Sequence, residues 1–343
     1  MSTRLSRSGL HIHSPLVHSS PLSAIAPCKI YLKEDFCQPS GSFKLRGISH
    51  FIKASADKIG SDPTTKGKKV VFCAASGGNA GNALSYAATQ YGFESIVVIP
   101  LSTSEHMAKK LRENGSKVIV HGINFGEADA YLKEVVIPGL GDDCVAVYCH
   151  PYDHEDVWKG NSSLIDEVVK DLQEVGELDK LKGIVCSVGG GGLYNGVVMG
   201  LQRHGLFDVG VLSVETETCP TFQAAIDAGE PVALKSTSTI AGSLAATTIS
   251  SKSLENYHTH KCKNILISDA DTASACLEFV RDHSVVVEPA CGASLATVYK
   301  GLLKEHENFF GGLKEDDIVI VVACGGYTVT LEALLKYKET YHL

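Results

Sequence analysis

Short apolar runs rich in β-branched residues alternate with longer helix-compatible runs along most of this chain, and this alternation limits the fold most strongly. Eight runs are typical of strands: KVVFCA (69–74), SIVVIP (95–100), SKVIVHG (116–122), CVAVY (144–148), LKGIVCSV (181–188), VGVLSVE (209–215), NILIS (264–268) and DIVIVVA (317–323). Helical runs such as ALSYAATQYG (83–92) and SSLIDEVVKDLQEVG (162–176) lie between most of them. Apolar strands joined by crossover helices form parallel sheets that are covered on both faces. The sequence therefore predicts an α/β protein with two open, twisted sheets and helices on both faces.

The length of the chain predicts two lobes. At 343 residues it exceeds the size at which a single hydrophobic core usually keeps growing. No repeat, low-complexity tract or linker separates the lobes, so we expect them to be interleaved in sequence. An active site is then expected in the cleft between them.

Charge and hydropathy exclude two classes of partner. The formal charge is −8, from 31 basic and 39 acidic residues, and no long basic run occurs. Nucleic acid and anionic membranes are therefore not expected to bind. No apolar stretch approaches the roughly 18 residues that a membrane span needs.

The cysteines and the N-terminus bear on the cellular compartment. The 11 cysteines are odd in number, form no CxxC pair, and several lie inside apolar strand-like runs. Reduced, buried thiols are the expected state. The N-terminal MSTRLSRSGLHIH is basic and serine-rich like a transit peptide but lacks an amphipathic apolar face. We expect a cytoplasmic protein, with mitochondria as the alternative.

A tetraglycine segment, SVGGGGLYNG (187–196), joins a predicted strand to a predicted helix. Glycines let several backbone N–H groups point at one object, and a helix N-terminus favours an anion, so a phosphate is the expected ligand. A tight turn is the plainer alternative. A dinucleotide is another, favoured by Glu215 at the end of the next strand. Its G-x-G-x-x-G spacing fails, because Tyr194 or Asn195 stands where the last glycine belongs.

Two further glycine segments follow strands, at the sheet edge where ligands of α/β proteins bind. In SGGNAG (76–81), Ser76 and Asn79 suit a carboxylate or a phenolic oxygen, although Asn79 is also a candidate helix cap. In VVACGGYT (321–328), Cys324 closes an apolar strand, where core packing is the ordinary role.

A lysine stands at a junction between a turn and a helix in QPSGSFKLRG (38–47). Lys44 follows Phe43 and precedes an apolar run. By itself this position predicts either a surface charge at a helix start or an amine held in a pocket.

Taken in order, QPSGSFKLRG, SGGNAG and the tetraglycine loop resemble the pyridoxal-phosphate enzymes of the tryptophan-synthase-β type (fold type II), specifically the serine/threonine dehydratases. VEPACGA (287–293) resembles a further segment of that group, and the likeness runs from about residue 21 to about residue 335. The short catabolic L-serine dehydratases are the most similar subgroup. The resemblance implies β-elimination of L-serine to pyruvate and ammonia, and of L-threonine to 2-oxobutanoate.

The resemblance also implies roles for individual residues. Lys44 is joined to the cofactor aldehyde and takes the substrate Cα proton, and Ser76 is the second predicted catalytic residue. The predicted cofactor-binding residues are Phe43, Lys44, Asn79, Gly189, Gly190, Gly191, Gly192, Leu193 and Cys324. The predicted substrate-binding residues are Ser42, Ser76, Gly77, Asn79 and Ala80. Cys324 would face the pyridine nitrogen as a neutral thiol, which makes the ring a mild electron sink suited to β-elimination.

Domain arrangement and assembly follow from the same resemblance. Residues 44–154 are expected to form a small domain inserted into a large cofactor-binding domain of residues 1–43 and 155–343. We expect a homodimer. No regulatory amino-acid-binding domain has room after residue 335, which favours a degradative enzyme.

Two features are left more open. Many members of the group have SAGNAG where this chain has SGGNAG, so Gly77 is expected to leave extra room near the substrate carboxylate. A monovalent cation, K⁺, is expected at Glu215 with backbone carbonyls near Cys219, Leu244 and Ala246. An ordinary salt bridge is the alternative for Glu215.

The same residues are also compatible with other functions. Threonine synthase, cysteine synthase and serine racemase share the lysine chemistry, although a cysteine at position 324 counts against them. A nucleotide-binding regulatory module is the alternative from a different class.

Overall fold

A computed structural model of the chain describes residues 10–343. The chain divides into two compact units. The first contains the described part of Met1–His13 together with Gln38–Gly160, and the second contains Ser14–Cys37 and Asn161–Leu343. Each unit is built around one sheet. The division at residues 44–154 expected above stays a prediction.

The described residues form ten strands. They are β1 (Leu16–His18), β2 (Lys29–Glu34), β3 (Lys69–Ala75), β4 (Glu94–Ile99), β5 (Lys117–Val120), β6 (Cys144–Tyr148), β7 (Leu181–Ser187), β8 (Gly210–Thr216), β9 (Cys262–Ile267) and β10 (Ile318–Ala323). All eight predicted strands are present, and β1 and β2 are additional.

The described residues also form thirteen α-helices. They are α1 (Ser20–Ser23), α2 (Lys44–Gly60), α3 (Asn79–Gln90), α4 (Glu105–Glu113), α5 (Phe125–Tyr131), α6 (Glu155–Glu174), α7 (Gly192–Arg203), α8 (Thr221–Ala228), α9 (Ser251–Thr259), α10 (Asp269–His283), α11 (Pro289–Tyr299), α12 (Leu302–Glu305) and α13 (Leu331–Tyr341).

The sheet of the first unit is parallel, with strand order β5-β4-β3-β6. Successive side chains of a strand point to opposite faces. Accordingly Phe72 and Ala74 of β3 pack in a core with α2 and α3, whereas Val71, Cys73 and Ala75 pack against residues of α5 and the turn after it. Both faces are therefore covered by helices, which explains why these strands are apolar throughout.

The sheet of the second unit has strand order β1-β2-β10-β7-β8-β9. Only β1 runs antiparallel to its neighbour. The central strand β10 is fully buried along its length. The predicted α/β class with two helix-covered sheets is confirmed.

None of the helices in residues 10–343 combines the length and the apolar character needed to cross a bilayer. The 11 cysteines are all free thiols.

Candidate active site

Lys44 is the first residue of α2 and is half-buried. Its Nζ donates a hydrogen bond to the carbonyl oxygen of Pro151 at 2.8 Å, and it lies 5.3 Å from the centre of the Phe43 ring. Of the two alternatives for Lys44, the structure therefore supports the held amine.

The loop that precedes Lys44 contains two buried hydroxyl groups without a hydrogen-bond partner in the described residues. Ser40 and Ser42 are each 1% exposed, and the Oγ atoms of both are unpartnered. The backbone of the loop is nevertheless fixed, because Asn82 Nδ2 donates to the Ser40 carbonyl at 2.9 Å. Buried polar groups normally have partners, so an unpartnered hydroxyl two residues from Lys44 is consistent with a ligand site.

The SGGNAG loop joins the end of β3 to the start of α3. Gly78 is the N-cap of α3 and makes no side-chain cap bond, so the alternative interpretation of Asn79 as the cap is wrong. Asn79 and Ala80 occupy the buried first turn of α3. Ser76 N donates to the Val98 carbonyl at 3.2 Å, which ties the loop to β4. The first N–H groups of α3 have no acceptor within the helix, so this end of the helix favours an anionic group.

The extra room expected at Gly77 is not present. A Cβ at this position would overlap Oγ1 of Thr103, which follows β4. The space that an alanine methyl occupies in SAGNAG is thus filled by the Thr103 side chain. The expectation of a widened site at Gly77 was wrong because the sequence does not reveal which neighbour packs there.

Residues 149–151 follow β6 and were missed as site residues. Because β3 pairs with β6 in parallel, their carboxyl ends meet at one edge of the sheet. His150 lies at this edge, and its Nδ1 accepts the N–H of Asp153 at 2.9 Å. Burial is the largest cause that lowers the His150 pKa, and Lys44 is one of the nearby charges that lower it further. Ligands of α/β proteins bind beyond the carboxyl ends of the strands, and this rule, applied above to the glycine loops, would have identified residues 149–151 too.

The tetraglycine loop of the second unit connects β7 to α7. Gly191 has φ of +95°, a left-handed conformation, and a Cβ on it would overlap the Ser253 hydroxyl. A Cβ on Gly189 would lie 2.9 Å from the Leu244 Cα. Glycine is therefore required at both positions. The loop ends at the N-terminus of a 12-residue helix whose first N–H groups have no acceptor within the helix.

Cys324 follows β10 and is 3% exposed. Its Sγ lies 3.9 Å from Ser187 Oγ at the end of β7. Interaction with the Cys291 thiol, burial and the nearby Glu288 carboxylate raise the Cys324 pKa well above its usual value. Cys324 is therefore a neutral thiol at neutral pH.

Glu215 is the penultimate residue of β8 and is fully buried. Its carboxylate accepts the N–H groups of Phe222 and Gln223 at 2.6 and 2.9 Å, and Asn264 Nδ2 at 3.0 Å. These amide donors, rather than a basic side chain, are the partners that the described residues provide. Burial raises the Glu215 pKa to about 7 although these hydrogen bonds oppose it.

The other predicted cation ligands lie close to one another. Cys219 Sγ donates to the carbonyls of Leu244 and Ala246, at 3.5 and 3.7 Å. Thr221 Oγ1 also donates to the Ala246 carbonyl, at 2.6 Å. The described residues include no group of three or more His, Cys, Asp and Glu residues suited to a metal ion. A cation here would depend on carbonyl and carboxylate oxygens.

The predicted site residues thus fall into two sets. The first unit contains Ser42, Phe43, Lys44, Ser76, Gly77, Asn79 and Ala80. The second unit contains Gly189, Gly190, Gly191, Gly192, Leu193, Glu215, Cys219, Leu244, Ala246 and Cys324.

Residues 8–325 match the family model described as pyridoxal-phosphate dependent enzyme, and the chain belongs to this family. It is 39% identical over 316 residues to an L-serine dehydratase of Saccharomyces cerevisiae (strain RM11-1a), across 91% of this chain and 92% of that protein. It is 42% identical over 313 residues to the catabolic L-serine/threonine dehydratase of Saccharomyces cerevisiae (strain ATCC 204508 / S288c), across 90% and 86%. The crystal structure of a fungal L-serine ammonia-lyase from Rhizomucor miehei superimposes with a TM-score of 0.87 and 34% identity, across 97% of this chain and 99% of that one.

The residues present fit pyridoxal phosphate. The aldehyde of pyridoxal phosphate needs an amine to join, and Lys44 supplies a half-buried amine that donates to a backbone carbonyl. A phosphate ester requires several N–H donors on a backbone without side chains. The start of α7 supplies them, with the unpartnered, fully buried Ser253 hydroxyl against Gly191.

Proposed function

We propose that this chain is an L-serine dehydratase, a lyase that converts L-serine to pyruvate and ammonia, and that it also converts L-threonine to 2-oxobutanoate. The observation that carries the proposal is Lys44, a half-buried amine at the start of α2 that a backbone carbonyl holds at 2.8 Å. The names of the yeast relatives and of the Rhizomucor miehei structure supply the reaction.

Lys44 has two roles in this reaction. When bound, pyridoxal phosphate supplies an aldehyde that joins amines covalently and a ring that withdraws electrons from the substrate Cα. Lys44 Nζ holds the aldehyde in the absence of substrate. With substrate bound, Lys44 would take the Cα proton as a general base. The Cα–H and Cβ–O bonds break, the Cα proton and the hydroxyl leave together as one water molecule, and the enamine product hydrolyses to pyruvate and ammonia.

The SGGNAG loop holds the substrate carboxylate in this proposal. The N–H groups at the start of α3 and the Ser76 hydroxyl donate to it, and Gly77 and Ala80 belong to the same loop and helix start. Ser42 contributes its unpartnered hydroxyl to substrate binding. Asn79 binds the phenolic oxygen of the cofactor, and Phe43 packs on its ring.

The tetraglycine loop and Cys324 would supply the remaining cofactor contacts. Backbone N–H groups of Gly189 to Gly192 and of Leu193 bind the phosphate. Cys324 faces the ring nitrogen, and its raised pKa keeps it a neutral thiol that places no negative charge there. A neutral thiol beside the ring nitrogen would make the cofactor a mild electron sink, which suits loss of a β-substituent.

Three further properties belong to the same proposal. K⁺ binds at Glu215 with carbonyl oxygens of Cys219, Leu244 and Ala246, the enzyme is a homodimer, and it acts in the cytoplasm in amino-acid catabolism. Sedimentation equilibrium of the purified chain tests the dimer. Fractionation of cells that express the full chain with a C-terminal tag tests the compartment.

An absorption spectrum of the purified protein, recorded before and after addition of L-serine, tests the proposed function. We expect a visible cofactor band that changes on addition of L-serine, together with pyruvate formation. Turnover of O-acetylserine or phosphohomoserine in place of serine, or racemisation without pyruvate, would assign the chain to one of the sibling reactions instead.

A further inference from the structure

Two carbonyl groups of the glycine loop are held by donors that lie far from the loop in sequence. The Gly190 carbonyl accepts the backbone N–H of Ser250 at 3.2 Å. The Gly192 carbonyl accepts Asn161 Nδ2 at 2.9 Å. Ser250 is the N-cap of α9, and Asn161 lies on α6. The loop is therefore fixed from outside through its acceptors rather than its donors.

These two bonds determine where the donors of the loop point. Every peptide bond in residues 10–343 is trans. In a planar trans peptide the carbonyl of one residue and the N–H of the next point in opposite directions. The Ser250 bond thus turns the Gly191 N–H away from α9, and the Asn161 bond turns the Leu193 N–H away from α6. A hydrogen bond at the carbonyl also polarises the peptide and strengthens the opposite N–H as a donor.

Packing alone does not explain an asparagine at position 161. Its side chain is 1% exposed, and a Cβ on Gly196 would lie 2.5 Å from the Asn161 Cβ, so α6 and α7 are in close contact there. The Asn161 Oδ1 has no hydrogen-bond partner in the part of the chain that the structure describes. A leucine has a similar shape and would not bury an unpaired oxygen, which is costly. The feature that distinguishes asparagine from leucine here is the hydrogen bond that its Nδ2 donates to the Gly192 carbonyl.

We propose that Asn161 and the backbone N–H of Ser250 are positioning groups for the cofactor phosphate. They act through the loop and do not touch the ligand. The inference rests on the proposed function, because it takes the glycine loop as the phosphate site. Neither position carries a signal in the sequence, since their effect depends on contacts between residues that are 31 and 60 positions apart.

Comparison of pyridoxal phosphate with pyridoxal, which lacks the phosphate, tests the proposal by binding rather than by turnover. Dissociation constants of both are measured on the full chain. Asn161→Leu is expected to raise the dissociation constant of pyridoxal phosphate about three- to tenfold, the usual effect of losing one neutral hydrogen bond. The dissociation constant of pyridoxal should stay unchanged. Ser250→Pro removes the N–H at a φ of −61° that proline adopts, and it should act in the same way. Ser250→Ala keeps the backbone N–H, so this variant should have the same ratio of the two dissociation constants as the wild type.

Asn256→Leu is the matched control. Asn256 is 1% exposed in the same unit, and its Nδ2 donates to the Asn195 side chain at 3.0 Å rather than to a loop carbonyl. Its ratio of the two constants should equal that of the wild type. If Asn161→Leu and Ser250→Pro keep that ratio, because they leave the binding of both ligands unchanged or weaken it equally, the inference is overturned while the proposed function stands. If the wild type itself binds pyridoxal as tightly as pyridoxal phosphate, the phosphate assignment of the loop fails with it.

Discussion

His150 lies one residue before the carbonyl that holds Lys44, and its surroundings favour the neutral ring. Burial lowers its pKa most, the Lys133 and Lys44 charges lower it further, and the Asp153 and Asp129 carboxylates oppose them. In the unfolded chain the ring titrates near 6.5. Below that pH the unfolded state binds more protons than the folded state, so stability is lost as the pH falls.

His150→Asn should remove this pH dependence. The asparagine amide oxygen can accept the Asp153 N–H as the His150 Nδ1 does, but it does not titrate. We expect the wild type to lose more free energy of unfolding than the variant between pH 7.5 and 5.5, measured by urea denaturation. Equal losses in the two proteins would show that His150 is not held neutral.

Gly77, in the turn between β3 and α3, and Gly81, in the first turn of α3, are constrained for different reasons. A Cβ on Gly81 would overlap the Ser76 carbonyl oxygen, a backbone atom, whereas a Cβ on Gly77 would overlap the Thr103 side chain. A backbone atom moves less easily than a hydroxyl. The two positions therefore predict different responses to the same added methyl group.

Gly77→Ala should destabilise by roughly 1 kcal/mol, and Gly81→Ala by roughly 3 kcal/mol, the lower and upper ends of the range for overpacking. Thr103→Ala should recover the loss at Gly77 and have no effect on the loss at Gly81. Thermal and urea unfolding of the single and double variants measure this. Recovery at both positions, or at neither, would contradict the packing described for this turn.

The turn between β8 and α8 supports a prediction about cations. Glu215 caps α8 with both carboxylate oxygens, and the Leu244 and Ala246 carbonyls lie around Cys219. Oxygen ligands of this kind suit a hard cation. Pyruvate formation should be faster in K⁺ than in buffer free of K⁺ and Na⁺, and Glu215→Ala should abolish the difference. An unchanged response to K⁺ in the variant would remove Glu215 from the cation site.

Strands with uninterrupted apolar runs were predictable, and β2 was not. The run KIYLKE carries Lys29 and Lys33, which are typical of exposed segments, yet Lys33 is fully buried. Its Nζ forms an ion pair with Glu167 of α6 at 2.8 Å and donates to the Ser14 carbonyl at 2.6 Å. A buried lysine is tolerated only with such partners, and these lie 134 and 19 residues away. The sequence pattern of β2 cannot show that residues so far away in the chain provide an ion pair and a hydrogen bond for Lys33.

On the scale of the whole molecule, the sequence predicted the two sheets and the loops at their carboxyl edges because both follow from local patterns. The chain leaves the second unit after Cys37 and returns to it at Asn161, so each unit is assembled from separated segments. The groups that support the loops come from these long-range contacts. Asn161 at the glycine loop and Thr103 at Gly77 were missed for this reason, whereas Pro151 at Lys44 follows β6 and could have been identified from that position.

The central claim is that the Lys44 amine carries the cofactor, and borohydride reduction followed by peptide mass analysis tests it most directly. Reduction fixes a lysine–cofactor bond as a stable secondary amine. The account predicts the added pyridoxyl phosphate mass on the peptide that contains Lys44, and no added mass and no turnover in Lys44→Ala. A label on any other lysine, or an unlabelled Lys44 peptide from a visibly coloured protein, would contradict it.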